Sequence, residues 1–227
     1  MKQRSIIAVD GPAASGKSTV AQIVARKLGY LYFDTGLMYR AITWAAMENL
    51  IDMADEQAAT LLAEQTTIEV QAASVDDGRP CDVLIGNTDI TWEIRKPAVE
   101  ANVSKIASYK GVRASLTAQQ RKIGLRGNVV MVGRDIGTVV LPDADLKIYL
   151  DASPQERARR RYQELVSRGD AANFEEILAG VIERDRIDSN RAVAPLRAAP
   201  DAIVINSSEM AIDEVVDAII TLAEKMP

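Results

Sequence analysis

Ile6-Ile7-Ala8-Val9-Asp10-Gly11-Pro12-Ala13-Ala14-Ser15-Gly16-Lys17-Ser18 is a short apolar strand that runs into a complete G-x-x-x-x-G-K-[ST] loop. Glycines without Cβ let the backbone close around an anion and turn successive N–H groups toward phosphate oxygens. A helix that begins near Lys17 adds its unpaired N-terminal donors and the positive end of its dipole. Lys17 supplies a cation for the outer phosphates, and the Ser18 hydroxyl is a candidate Mg²⁺ ligand, acting partly through water. Gly11, Pro12, Ala13, Ala14, Ser15, Gly16, Lys17, Ser18 and Thr19 are thus the candidate cradle for a nucleoside triphosphate, with ATP and Mg²⁺ as the cofactors expected.

Working outward, apolar runs that read as strands recur at 5–10, 30–34, 128–132, 146–150 and 202–205. Near-continuous apolarity in several of them predicts burial on both faces. Helical patterns lie between and after them, at about 17–28, 37–49, 111–124, 154–167, 174–190 and 211–225. That alternation predicts an α/β fold in which a five-stranded parallel sheet is flanked by helices. One region departs from it. Two β-branched runs, Thr67-Ile68-Glu69-Val70-Gln71 and Asp82-Val83-Leu84-Ile85, enclose a turn around Asp76-Asp77-Gly78, so 66–91 reads as an inserted antiparallel hairpin.

Composition narrows the chemistry. The chain has no histidine, which excludes Ser-His-Asp and Cys-His nucleophilic machinery and histidine-ligated zinc. Its single cysteine, Cys81, rules out an intramolecular disulfide and reads as an inert thiol in a reducing compartment. A net charge of −5 argues against indiscriminate affinity for nucleic acid or membrane. Met1-Lys2-Gln3-Arg4 leads straight into the first strand without a signal peptide, and no apolar run reaches membrane-spanning length. The expectation is a cytoplasmic monomer that acts on small molecules.

Four further constellations carry charge. Asp34-Thr35-Gly36-Leu37-Met38-Tyr39-Arg40 turns the second strand into a helix; it also reads as a helix cap with a surface arginine, but its place beside the P-loop favours a ligand site. Gly133-Arg134-Asp135-Ile136-Gly137-Thr138 ends the third strand; beside the bland salt-bridged turn stands a pair in which Arg134 meets phosphate and Asp135 accepts from a substrate amine or hydroxyl. Arg184, Asp188 and Arg191 fall at i, i+4 and i+7, on one helix face, either as a solvated ion-pair face or as a two-arginine phosphate grip. Arg157, Arg159, Arg160, Arg161 and Arg168, against Glu156 and Glu164, make a basic stretch followed by Gly169: a basic surface or a closing lid.

These stretches together resemble the bacterial-type cytidylate kinases among the P-loop nucleoside-monophosphate kinases. The resemblance spans D-G-P-A-A-S-G-K-S-T (10–19), D-T-G-x-x-Y-R (34–40), G-R-D-I-G-T-V-V-L-P (133–142), K-I-Y-L-D-A-S (147–153) and E-R-D-x-x-D-S-N-R-A-V-A-P-L (183–196). It implies a core of 1–65, 109–153 and 171–227, a monophosphate-binding insert at 66–108 and a helical lid at 154–170. It also implies transfer of the γ-phosphoryl group of ATP to CMP and to dCMP. By position, the CMP site would use Thr35, Arg40, Ser104, Arg113, Arg134, Asp135, Arg184, Asp188 and Arg191. Of these, Arg40, Arg134 and Arg191 resemble holders of the monophosphate, Ser104, Arg113 and Asp135 readers of the cytosine edge, and Asp188 with Arg184 residues facing the ribose. Lys17, Arg134, Arg157, Arg161 and Arg184 are the candidates for neutralising charge during transfer. Members of this family commonly carry an acid ahead of G-R-D, where this chain has Val132; Asp10 is then either a substitute near the metal's water shell or a structural strand end. A kinase for UMP or another small acceptor, and a nucleotide-dependent switch, are the competing readings.

Overall fold

Each predicted strand ends where its apolar run meets a turn or a helix start, and the computed structural model, which describes residues 5–191 and 193–225, places the boundaries within two residues of those expected. Met1–Arg4 and Ala192 of the 183–196 motif lie outside the described residues. In chain order the core elements are β1 (Ile6–Asp10), α1 (Lys17–Leu28), β2 (Leu31–Asp34) and α2 (Gly36–Glu48). After the inserted region come α5 (Lys110–Gly124), β6 (Val129–Gly133), β7 (Leu146–Asp151), α6 (Pro154–Ser167), α7 (Phe174–Asn190), β8 (Ile203–Asn206) and α8 (Ile212–Ala223). The five strands are parallel in the order β2-β6-β1-β7-β8.

Strand pleating sends alternate side chains to two separate cores. On one side Ile7, Val9, Val130, Val132, Ile148 and Leu150 pack under α1 and α8. On the other, Ala8, Phe33, Val129 and Met131 pack under α2 and α5. The central strands are thus buried on both faces, as their sequence required. β8 is not: as the edge strand it leaves Ile203 and Val204 exposed.

The inserted region has more structure than a hairpin. It is preceded by α3 (Glu56–Gln65), capped by Asp55 accepting from the Ala58 N–H at 2.9 Å. β3 (Ile68–Ala72) and β4 (Cys81–Ile85) pair antiparallel, and a short β5 (Thr88–Asp89) adds to β4. α4 (Pro97–Ile106) follows a single helical turn at Glu93–Arg95. α3 and β5 have no counterpart in the sequence reading. Arg79 ties the hairpin by reaching Asp77, Asp82 and Asp89, while Trp92 Nε1 donates to Asp77 at 2.8 Å. Ile68, Val70, Cys81 and Val83 share one apolar cluster with Phe33 of the main sheet. The insert is therefore seated on the core. Among the described residues no helix is long and apolar enough to cross a membrane.

Candidate active site

The carboxyl ends of β1, β6 and β2, adjacent in the sheet, deliver the P-loop, the Gly133–Thr138 turn and the Asp34–Gly36 turn to one place. This is where open parallel sheets hold their ligands.

The donor loop is shaped by its backbone. A Cβ on Gly11 would fall 2.1 Å from the Leu150 carbonyl oxygen, so only glycine lets the loop pass β7. Gly16 caps α1 at φ +86°, a left-handed conformation that glycine adopts without strain. Lys17 is buried and its Nζ donates to the Pro12 carbonyl at 2.7 Å, folding the side chain back over the loop. Burial, reinforced by repulsion from Arg134 and Arg184, pushes the Lys17 ammonium down to about 7. Ser18 Oγ donates to Asp34 Oδ2 at 3.1 Å, and Asp34 Oδ1 accepts from the Gly36 N–H at 2.9 Å. Val132 is fully buried in register with Asp34, and the carboxylate that reaches the Ser18 hydroxyl is Asp34.

Of the two places considered for Asp10, its bonds are those of the structural strand end. Its two carboxylate oxygens accept the Ile136 and Gly137 N–H groups, each at 2.8 Å. It ties the turn carrying Arg134 and Asp135 to the strand carrying the P-loop. Burial raises its carboxyl to about 6, with Asp135 adding to the rise and the two N–H donors and Lys17 opposing it.

The acceptor side is built of paired charges. Arg113 Nη2 of α5 donates to Asp135 Oδ2 at 2.8 Å, and its guanidinium lies 5.5 Å from the centre of the Tyr39 ring. Arg191 Nη2 lies 3.6 Å from Asp135 Oδ1, and its Nη1 lies 3.9 Å from Asp188 Oδ1. Arg134 Nε donates to Asp188 Oδ2. Arg113 Nε and Arg191 Nη2 are buried donors without a hydrogen bond among the described residues, as is Ser15 Oγ in the donor loop. α7 stops at Asn190, so Arg191 sits one step beyond the helix face expected for it, where the Leu196 N–H turns back to the Asp188 carbonyl at 2.8 Å. Arg40 pairs with Glu100 of α4. Arg184 makes no ion pair or hydrogen bond among the described residues; its guanidinium is held below its ordinary range by burial and by Arg134.

Other candidates fall elsewhere. The Thr35 hydroxyl is buried and donates to the Val132 carbonyl at 2.9 Å, a strand-end lock that leaves it only an acceptor role. Ser104 is exposed on α4. Arg157 is 2% exposed and braces three segments: its Nε donates to the Ala152 carbonyl at 2.9 Å, its Nη1 to the Ala13 carbonyl at 3.1 Å, and it pairs with Asp185. Arg161 pairs with Glu164 on its own helix at 2.8 Å. The cation that reaches the loop from α6 beside Arg157 is Arg160, whose Nη1 donates to the Ser15 carbonyl at 3.2 Å and Nη2 to the Ser207 carbonyl at 2.6 Å. Arg160 was legible only as one arginine of a run, and Asp34 only as the first residue of the strand-to-helix turn that carries Thr35.

A glycine-rich loop after the central strand of a five-stranded parallel sheet, faced by a second cationic pocket, defines a P-loop phosphotransferase. A shikimate kinase from Bacteroides thetaiotaomicron shares the fold, with a TM-score of 0.50 at 14% identity over 97% of this chain and 98% of that one. The chain belongs to the cytidylate kinase family, whose model matches residues 7–225. Cytidylate kinases from Bacillus subtilis and Desulforamulus reducens are 45% and 49% identical to it over 225 residues, covering 99% of each chain.

Proposed function

We propose that the protein transfers the γ-phosphoryl group of ATP to CMP, with dCMP as a second acceptor, releasing ADP and CDP. The observation that carries this reading is the meeting, at adjacent strand ends, of the P-loop carrying Lys17 with a second cluster in which Arg113, Arg191 and Arg134 gather around Asp135 and Asp188. Cations that repel one another across the sheet end are stabilised when anions enter between them. Two phosphate-bearing ligands meet that need.

The acceptor phosphate oxygen attacks the γ-phosphorus in line with the departing ADP oxygen. That oxygen is already anionic near neutral pH, so a chain without histidine lacks nothing the step requires. Catalysis then rests on positioning and charge neutralisation. The P-loop amides and Lys17 hold the donor; Arg40, Arg134 and Arg191 hold the acceptor phosphate; Arg184 follows charge onto the transferring group. Arg113 and Asp135, locked together, present a donor and an acceptor edge suited to cytosine, with Tyr39 beside them. Asp188 faces the ribose, and Ser104 and Thr35 join this site if α4 and the β2 turn shift toward the ligand. Arg157 and Arg161 act from the lid, Arg157 as the brace of the loop. Ser18 and Asp34 offer the hard oxygen donors that suit Mg²⁺, which when bound neutralises charge on the outer phosphates. The enzyme works as a monomer in a reducing compartment such as the cytoplasm, in keeping with one buried cysteine whose thiol burial pushes up to about 12.

ADP release over a panel of nucleoside monophosphates with Mg²⁺ tests this reading. CMP and dCMP should stimulate turnover strongly. Equal turnover with AMP or GMP would sink the cytosine assignment, preference for UMP would favour the related kinase, and indifference to every acceptor would favour a switch.

A further inference from the structure

Glu100 has no part in the transfer outlined above, yet it stands against the cation expected to hold the acceptor's phosphate. α4 carries it from the insert to α2, where Arg40 Nη1 donates to its Oε2. The hydrogen bond from Arg40 holds the Glu100 carboxyl below its ordinary range, and the charges of Arg40, Arg184 and Arg161 add to it, against the effect of burial. One carboxylate therefore lies in the field of three arginines from α2, α6 and α7.

Its pairing differs from the others in the pocket. The side chains of Arg113 and Asp135 are 8% and 11% exposed, whereas those of Arg40 and Glu100 are 28% and 53% exposed. A pair open to water is weak, so it can be exchanged for a stronger one. A phosphate monoester carries about −1.5 to −2 charge at neutral pH and three acceptor oxygens, against a single charge on a carboxylate. Exchange of Glu100 for a monoester phosphate is therefore favourable.

We infer that Glu100 is an internal competitor for the acceptor phosphate, occupying Arg40 until an anion displaces it and so lowering the apparent affinity of every ligand that must use Arg40. This rests on the reading of Arg40 as a phosphate holder, and it adds an affinity-setting residue that contacts neither base nor sugar. Occupancy of Arg40 by Glu100 lowers the apparent affinity of every anion that must displace it by one common factor, set by the fraction of Arg40 left free.

Glu100→Gln keeps the shape and removes the charge at a position where the side chain is half exposed, so folding is unaffected. Calorimetric titration with CMP should show binding tightened about two- to five-fold, the range of a solvent-exposed ion pair. Inorganic phosphate should tighten by the same factor, and cytidine, which has no phosphate for Arg40, should bind as before. Unchanged binding of CMP and phosphate would overturn the proposal, and so would weaker binding of CMP. Arg40→Gln separates the two readings. If it weakens CMP about ten-fold without affecting cytidine, Arg40 holds the phosphate whatever Glu100 does; if CMP binding is unchanged, the role of Arg40 and the competitor role of Glu100 both fall.

Discussion

The donor and acceptor halves of this site are made of different material. The donor half is a single contiguous loop whose working parts are backbone amides, shaped by Gly11 and Gly16 and capped by one lysine. The acceptor half is a set of side chains from α5, the end of α7 and the turn after β6, held as Arg113–Asp135–Arg191–Asp188–Arg134. Backbone geometry is local and survives most changes nearby. A chain of alternating charges is non-local, and removing one member leaves its neighbours unpaired. The donor half should therefore fail by losing chemistry, and the acceptor half by losing stability and recognition together.

The largest effect expected is from Lys17→Ala. It should lower kcat/KM about a hundred- to a thousand-fold, as loss of one charge-stabilising donor does, without lowering the midpoint of thermal unfolding, because it removes a buried, depressed ammonium. A variant that lost stability and kept activity would break the comparison at its donor end.

Asp135→Asn should cost about 3 kcal/mol of stability, the scale for removing one partner of a buried pair, and should raise the KM for CMP far more than that for ATP. The double variant Asp135→Asn with Arg113→Met should recover most of the stability but none of the CMP affinity. Additive losses in denaturant titrations would show that the two residues are not coupled.

Asp10→Asn tests the link between the halves. With the folded carboxyl near 6 and its ordinary value at 3.8, the folded state binds the proton more tightly. That contribution to stability is full below pH 3.8 and is lost as pH rises toward 6, by about 3 kcal/mol at most. Lys17 from α1, Asp135 from the β6 turn and Tyr149 from β7 are the titratable neighbours that share this field. The wild type should show the decline between pH 4 and 6 in chemical denaturation, and the variant should not. Because asparagine presents an N–H to one of the two turn amides, the variant should also raise the KM for CMP; an unaltered KM would mean the turn stands without Asp10.

The smallest effect expected is from Arg160→Gln. Losing its bonds to the Ser15 and Ser207 carbonyls should raise the KM for ATP about five-fold, the worth of roughly one hydrogen bond, and leave that for CMP unchanged. A matching rise for CMP would show that the two halves share a brace on this side.

The difference in material also explains what was legible. The five parallel strands and six of the helices followed from apolar runs and helical spacing, because the main sheet is buried on both faces and α1, α2, α5 and α8 each lay a stripe on it, while α6 and α7 pack on each other. α3 escaped notice because Ala59 and Ala63 bury little area and leave only a faint stripe. Asp10 and Thr35 were marked by their places at strand ends, but whether a strand-end polar group meets ligand or backbone depends on the next strand: Ile136 and Gly137 in one case, Val132 in the other.

By itself the sequence determined the phosphate loop, since its function resides in consecutive residues whose missing side chains are the signal. It determined the arginine–aspartate turns as sites of charge for the same reason. Only the tertiary structure decided which charges meet. It spends Asp10 and Thr35 on the backbone, puts Asp34 beside Ser18, and sets Glu100 of the insert against Arg40. The physical reason is range: a loop's shape is fixed by torsions within it, whereas an ion pair between residues 40 and 100 is fixed by how two helices pack.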